Sequence, residues 1–240
     1  MIALSGGAQG YALASNSGKD GKPRQNSGKR PAAAQKKRPG QSNSVRIIGG
    51  EWRGRRIRFP SAAGLRPTPD RVRETLFNWL QGVTGDARCL DLFAGSGALG
   101  LEALSRGARE VVFVEREPRV AAALRDTIDA LGGGRSELVT ADAFRYLAGA
   151  PRRFDLVFLD PPFAAGRRAE LCTLLEDGGW LAPRAYIYLE GAARDGMPPL
   201  PEPWQALRET RAGEVLGVLA RRAEPATRTG GAGSERVGET

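Results

Sequence analysis

The chain has 240 residues, carries 36 Lys and Arg against 27 Asp and Glu for a net charge of +9, and is 41% hydrophobic, which suits one enzyme-sized soluble domain with a proper core. It has no histidine and two cysteines, Cys89 and Cys172, so a disulfide framework, a zinc centre and a Ser-His-Asp triad are all disfavoured. The amino terminus lacks the pattern of a secretory signal and no run approaches the ~18 apolar residues of a membrane helix, so the expected address is cytoplasmic, without a membrane partner.

The charge is concentrated at the front. Residues 1 to 44 hold eight Lys or Arg against one Asp, residues 45 to 73 hold eight Arg against two acids, and the rest is mildly acidic, with 20 basic and 24 acidic groups. Such asymmetry points to a partner with a phosphate backbone, the alternatives being a solubilising tail or an anionic membrane surface.

Residues 1 to 44 are Gly, Ser, Ala, Asn, Gln and Lys/Arg without apolar periodicity, and read as a disordered basic arm. From 45 to 60 the pattern becomes a short β-hairpin whose polar side is nearly all arginine: Arg46, Arg53, Arg55, Arg56 and Arg58. Arg66-Pro67-Thr68-Pro69 leads into a helix over about 68 to 82, with Thr68 as N-cap, Pro69 in the first helical position and an apolar stripe of Val72, Leu76, Trp79 and Leu80. Thr68, Arg71 and Arg73 either pack or face a cofactor or phosphate; periodicity does not choose.

From 88 to 222 strands and helices alternate: strand 88 to 93, helix 98 to 106, strand 110 to 115, helix 118 to 131, strand 136 to 140, helix 142 to 148, strand 154 to 159, helix 167 to 176 and strand 185 to 190. Short connections between them predict a mainly parallel sheet covered on both faces. Trp204 to Thr210 and Glu214 to Arg221, joined by Arg211-Ala212-Gly213, predict a closing antiparallel hairpin, and 223 to 240 read as a frayed tail.

Two stretches carry the chemistry. Asp91-Leu92-Phe93-Ala94-Gly95-Ser96-Gly97 joins the first strand to a helix through a glycine-rich turn, and the G-x-G-x-x-G pattern completed at Gly100 suits either a dinucleotide or S-adenosylmethionine. Asp91 inside an apolar strand needs a partner, which the ammonium of S-adenosylmethionine supplies; the alternative is a turn cap through backbone amides. Glu115 suits ribose hydroxyls of either cofactor. Asp142, with Ala143, suits an adenine amine or a helix N-cap, and the two roles are compatible.

The second stretch, Asp160-Pro161-Pro162-Phe163, closes another apolar strand. An exocyclic amine is a poor nucleophile because its lone pair is delocalised into the ring. The Asp160 carboxylate and the Pro161 carbonyl can accept from both its N–H groups, the prolines fix the carbonyl's direction, and Phe163 offers a face for the base. Methyl transfer then needs neither histidine nor metal, so the cofactor reading moves to S-adenosylmethionine.

With these residues in view the chain resembles the bacterial small-subunit ribosomal RNA guanine-N2 methyltransferases that modify the 16S base conventionally numbered 966. The resemblance covers about 45 to 221 and rests on Arg46-Ile47-Ile48-Gly49-Gly50, Trp52-Arg53-Gly54-Arg55, Gly64-Leu65-Arg66-Pro67-Thr68, Asp70 through Leu80, Leu90 through Gly107 and the Asp160 tetrapeptide. It implies an α/β fold of the class I S-adenosylmethionine-dependent methyltransferase type, a Rossmann-like seven-stranded, mainly parallel sheet with a C-terminal antiparallel hairpin, preceded by the basic hairpin and spanning 45 to 222. It further implies catalysis at Asp160, Pro161, Pro162 and Phe163, and cofactor contacts from Asp91, Phe93, Ala94, Gly95, Gly97, Glu115, Asp142, Ala143 and Thr68. RNA contacts are expected from Arg46, Arg53, Arg55, Arg56, Arg58, Arg66, Arg71 and Arg73, on 16S ribosomal RNA in a small-subunit particle, by a monomer without a metal. The catalytic tetrapeptide is shared with adenine-N6 enzymes, which remain the alternative.

Overall fold

The computed structural model describes residues 43–61, 68–162 and 165–224, with only the backbone of 165 and 166. The arm to residue 42, Arg66, Phe163 and the tail from 225 lie outside the described residues. β1 (Asn43–Arg46) pairs antiparallel with β2 (Arg56–Phe59), so the hairpin starts two residues before the expected boundary. α1 (Asp70–Trp79) follows. β3 (Arg88–Asp91), α2 (Ala98–Ser105), β4 (Glu110–Glu115), α3 (Pro118–Leu131), β5 (Ser136–Thr140), α4 (Ala143–Leu147), β6 (Phe154–Leu159), α5 (Ala165–Asp177), β7 (Leu181–Ala192), β8 (Trp204–Ala212) and β9 (Val215–Arg222) complete the chain.

Seven strands form one sheet in the order β5-β4-β3-β6-β7-β9-β8; the first five run parallel and β9 and β8 antiparallel. A parallel strand buried on both faces must be apolar throughout, and β4 (EVVFVE) and β6 (FDLVFL) are so through their interiors. One layer packs Leu76 and Leu80, Leu101 and Leu104, and Leu124 and Ile128 around α1, α2 and α3. The other packs Leu147 of α4 and Leu171 and Leu175 of α5 against Leu90, Val112 and Val157. Cys89 is buried in the first layer and Cys172 in the second. The edge strand β8 carries a bulge near Leu207 and exposed Arg208 and Glu209, which discourage pairing with another sheet. No described helix is long and apolar enough to cross a membrane.

Three local readings change. Pro69, not Thr68, occupies the N-cap of α1 and makes no side-chain cap, so the helix begins at Asp70 rather than at Pro69. β3 ends at Asp91 because Leu92 and Phe93 already form the turn. β7 begins at Leu181, four residues early, because Leu181 pairs with Phe154 ahead of a register shift that accommodates Pro183.

The hairpin shows how a two-stranded element is held. Alone it would be marginal. Val45, Ile47, Trp52, Ile57 and Phe59 are all buried in the α1–α3 layer, at about 1.5–3 kcal/mol for each large apolar side chain. Its loop is clasped to α2: the Ile48 and Gly49 N–H groups donate to Glu102 Oε2 and Oε1 at 2.7 and 2.8 Å, and Trp52 N–H donates to Ser105 Oγ at 2.9 Å. Gly50 has φ +76°, and a Cβ there would overlap the Ser105 carbonyl, so only glycine permits this approach.

Candidate active site

Four neighbouring parallel strands carry an acid at or near their carboxyl ends: Asp91 and Glu115 close β3 and β4, Asp160 follows β6, and Glu190 lies two residues inside the end of β7. Asp91 is paired in register with Phe113 and Phe158, and Phe158 with Tyr188. Side chains alternate with period two along a strand, so Glu115, Asp160 and Glu190, each two residues beyond these partners, project on the same face as Asp91. A cleft of about 1500 Å³ opens over this carboxyl edge. Thr68, Phe93, Ala94, Gly95, Asp142, Ala143, Pro161 and Pro162 line it together with the four acids.

Asp91 is buried, and its Oδ2 accepts the Gly100 N–H at 3.0 Å, so the turn-cap alternative is realised while the carboxylate still lines the cleft. Glu115 accepts the N–H groups of Gly95 and Glu117, each at 2.8 Å. Asp142 is the N-cap of α4, accepting from Phe144 N at 2.9 Å. Gly97 does not line the cleft. It takes the left-handed N-cap of α2 at φ 75°, where a Cβ would overlap Leu124 of α3, so its role is packing rather than close approach to a ligand. Thr68 spends its hydroxyl on Glu190 instead of capping α1.

The edge is short of positive charge. Burial pushes the Asp91 carboxyl up to about 7, with Asp160 and Glu115 adding to the rise against the Gly100 N–H. Burial lifts Asp160 to about 6, opposed by Arg168. Glu190 rises to about 8, through burial and the neighbouring Asp160, although Tyr188 and Thr68 hydrogen-bond its carboxylate. Arg168 is itself buried; it donates to the carbonyls of Glu190 at 3.5 Å and Gly196 at 3.2 Å, and its Nε has no hydrogen-bond partner among the described residues.

The expected RNA-facing arginines divide. Arg46, Arg53, Arg55, Arg56 and Arg58 are exposed on the hairpin and Arg71 on α1. Arg73 is a correction: its side chain is fully buried, paired with Asp70 at 2.7 Å and Glu102 at 3.5 Å, and it donates to the carbonyls of Arg46 and Thr68. Its charge is needed inside, where Glu102 would otherwise be a buried anion with Arg106 alone for an ion pair.

Sequence reasoning missed Glu190, Arg168 and Glu102. Glu190 carried a usable signal, since it ends an apolar strand as Asp91, Glu115 and Asp160 do. Arg168 and Glu102 carried none, because each looks like one ordinary charge in a helix.

The donor set can be tested against the two cofactors. S-adenosylmethionine offers an ammonium, a sulfonium, two ribose hydroxyls and an adenine amine, all suited to an edge rich in carboxylates. A dinucleotide diphosphate would meet four acids at the strand ends and find the Gly95 N–H already taken by Glu115. The residues present therefore fit S-adenosylmethionine, and sheet order and acid edge together define a class I methyltransferase with that cofactor.

A family model described as "Conserved hypothetical protein 95" matches residues 45–220. The ribosomal RNA small subunit methyltransferase D of Escherichia coli is 48% identical over 188 residues, 78% of this chain and 95% of that protein. Its counterpart in Haemophilus influenzae is 42% identical over 181 residues, 74% of this chain and 93% of that one. The solved methyltransferase yhhF of Escherichia coli superposes with TM-score 0.72 at 45% identity, covering 76% of this chain and all (100%) of that one. The chain belongs to this family, that of ribosomal RNA small subunit methyltransferase D.

Proposed function

We propose that the chain methylates the exocyclic N2 amine of one guanine in 16S ribosomal RNA, the base numbered 966 by the family's convention, within a small-subunit particle. The observation that carries this is the placement of Asp160 and Pro161 at the end of β6, opening into the same cleft as Asp91 and Glu115. S-adenosylmethionine, when bound, supplies an electrophilic methyl group on sulfur. Asp91 would hold its ammonium, Glu115 the ribose and Asp142 the adenine amine, while Phe93, Ala94, Gly95, Ala143 and Thr68 shape the surrounding wall.

Asp160 and the Pro161 carbonyl accept the two N–H groups of the base amine and aim its lone pair at the methyl carbon. The transfer would form the N–C bond at the expense of the cofactor's C–S bond, and the proton that leaves nitrogen would pass to the Asp160 carboxylate. The raised pKa of that group suits it to receive the proton. Phe163 would stack on the base. The exposed arginines Arg46, Arg53, Arg55, Arg56, Arg58 and Arg71, together with Arg66, hold the phosphate backbone.

The test is single-turnover methylation of small-subunit particles from cells lacking the gene, with the methylated nucleoside identified and mapped. N2-methylguanosine is expected; N6-methyladenosine would replace the guanine reading with its adenine alternative. Asp160→Ala should lower the rate by about 10²- to 10³-fold while cofactor affinity stays within a few-fold. Retained activity in that variant would remove Asp160 from the mechanism.

A further inference from the structure

Asp160 and Pro161 account for the amine, and they leave one donor of guanine without a partner. Next to the 2-amino group the ring carries N1–H, and a flipped base has exchanged its pairing and stacking contacts for those of the pocket. A buried donor left unsatisfied costs about 1–3 kcal/mol. Adenine differs at this very place, because the nitrogen beside its amine has a lone pair and no hydrogen.

Glu190 is the one acid of the edge to which the mechanism above gives no task. It lies one strand over from Asp160, and the β6–β7 register, which pairs Phe158 with Tyr188 and Leu159 with Leu189, continues to set the two acids side by side on one face. It lines the cleft. Two hydroxyls hold it: Tyr188 donates to its Oε2 at 2.8 Å from its own strand, and Thr68 bonds it from the segment before α1. A carboxylate has about four lone-pair sites, so these leave acceptor capacity for a ligand. Asp160, just past β6, is a charged neighbour of its carboxyl group, and Arg168 on α5 donates to the Glu190 carbonyl rather than to its carboxylate.

We propose that Glu190 selects guanine, its carboxylate accepting the ring N1–H beside the amine that Asp160 holds. This rests on the guanine reading of the same cleft. Above about pH 8, where Glu190 is ionised, an adenine would set a lone pair against the carboxylate, a mismatch that a site built around hydrogen bonds rejects strongly. Thr68 and Tyr188 act as positioning residues that fix the carboxylate's direction.

The probe is 2-aminopurine riboside placed at the methylated position of small-subunit RNA reconstituted into particles. It keeps the 2-amino group and presents a lone pair at N1. Assayed above about pH 8, where Glu190 is ionised, wild type should prefer guanosine by about 10²-fold or more in kcat/KM. In Glu190→Gln the side-chain amide can donate to that lone pair, so activity on guanosine should fall about 10²-fold, activity on 2-aminopurine should rise, and the preference should shrink below about tenfold. Cofactor affinity and melting temperature of the variant report on folding. Equal losses on both substrates, or an unchanged preference, would overturn the proposal. If Glu190→Gln does not fold, Glu190→Asp decides: the preference should survive at reduced rate, and its loss would be equally fatal. N6-methyladenosine from the wild type would instead sink the guanine reading, before any variant is made.

Discussion

At Asp91 the fold keeps a carboxylate where nothing cationic stands beside it. Its folded pKa, about 7, lies above the unfolded value near 3.8, so its protonated form favours the folded state. That stability is full below about pH 4 and is lost as pH rises through about 7. The raised groups Asp160 and Glu190 act in the same direction. A cationic ligand reverses the preference at Asp91 by pairing with the ionised form. Affinity for S-adenosylmethionine should therefore rise up to about tenfold per unit as pH approaches 7, with proton release on binding. Calorimetry in buffers of different ionisation enthalpy reads both, and Asp91→Asn should flatten the profile. A flat profile in the wild type would separate Asp91 from the ammonium.

Among the elements, the hairpin and α2 are joined by the hydrogen bonds of Ser105 and by the buried anion of that junction, Glu102. Glu102 receives the two N–H groups of the hairpin loop and pairs with Arg106 and Arg73, whose guanidinium also holds the carbonyls of Arg46 and Thr68. Glu102→Ala would leave Arg73 buried with its inner anion gone, at a cost of about 3–5 kcal/mol in unfolding free energy, read by chemical denaturation. A cost below about 1 kcal/mol would mean that water or Asp70 replaces the missing anion. This clasp was illegible in the sequence. Glu102 stands in Leu101-Glu102-Ala103-Leu104, an ordinary helical pattern, and its partners are backbone groups some fifty residues away. Regular periodicity, by contrast, gave the bounds of β4, α3, β5 and β6 as they stand, because each is fixed by its own apolar pattern and punctuation. Thr68 was misread because its hydroxyl answers to Glu190 across the fold, not to the helix beside it. The acids of the edge were legible in three cases of four, and the same strand-end rule reaches the fourth.

For the molecule as a whole, the proposed RNA contacts of the basic front can be tested separately for its two segments. If the eight cations of residues 1 to 44 tether RNA with low sequence preference, deleting residues 1–42 should weaken RNA binding chiefly at low salt. The slope of log affinity against log salt should fall by up to about 0.7 for each single-strand phosphate that the arm no longer neutralises, while turnover at saturating RNA persists. Replacing Arg53, Arg55, Arg56 and Arg58 by alanine should instead slow methylation even at saturation, since a base displaced by about 1 Å can lose on the order of 10²-fold in rate. If the two variants exchange these behaviours, the segments have been given each other's roles.

The buried sulfurs bear on a different hazard. An activated methyl group is attacked readily by thiolates and by imidazole, and a protein that binds one is exposed to alkylating itself. This chain has no imidazole at all. Cys89, two residues behind Asp91 on the same face of β3, is sealed in the core, and burial together with the charges of Asp155 and Asp91 pushes its thiol far above the ordinary range. Cys172 is buried on the far side of the sheet and raised to about 12. Both thiols stay protonated and buried, so a captured substrate meets the methyl donor without a thiolate or imidazole of the protein's own competing for it.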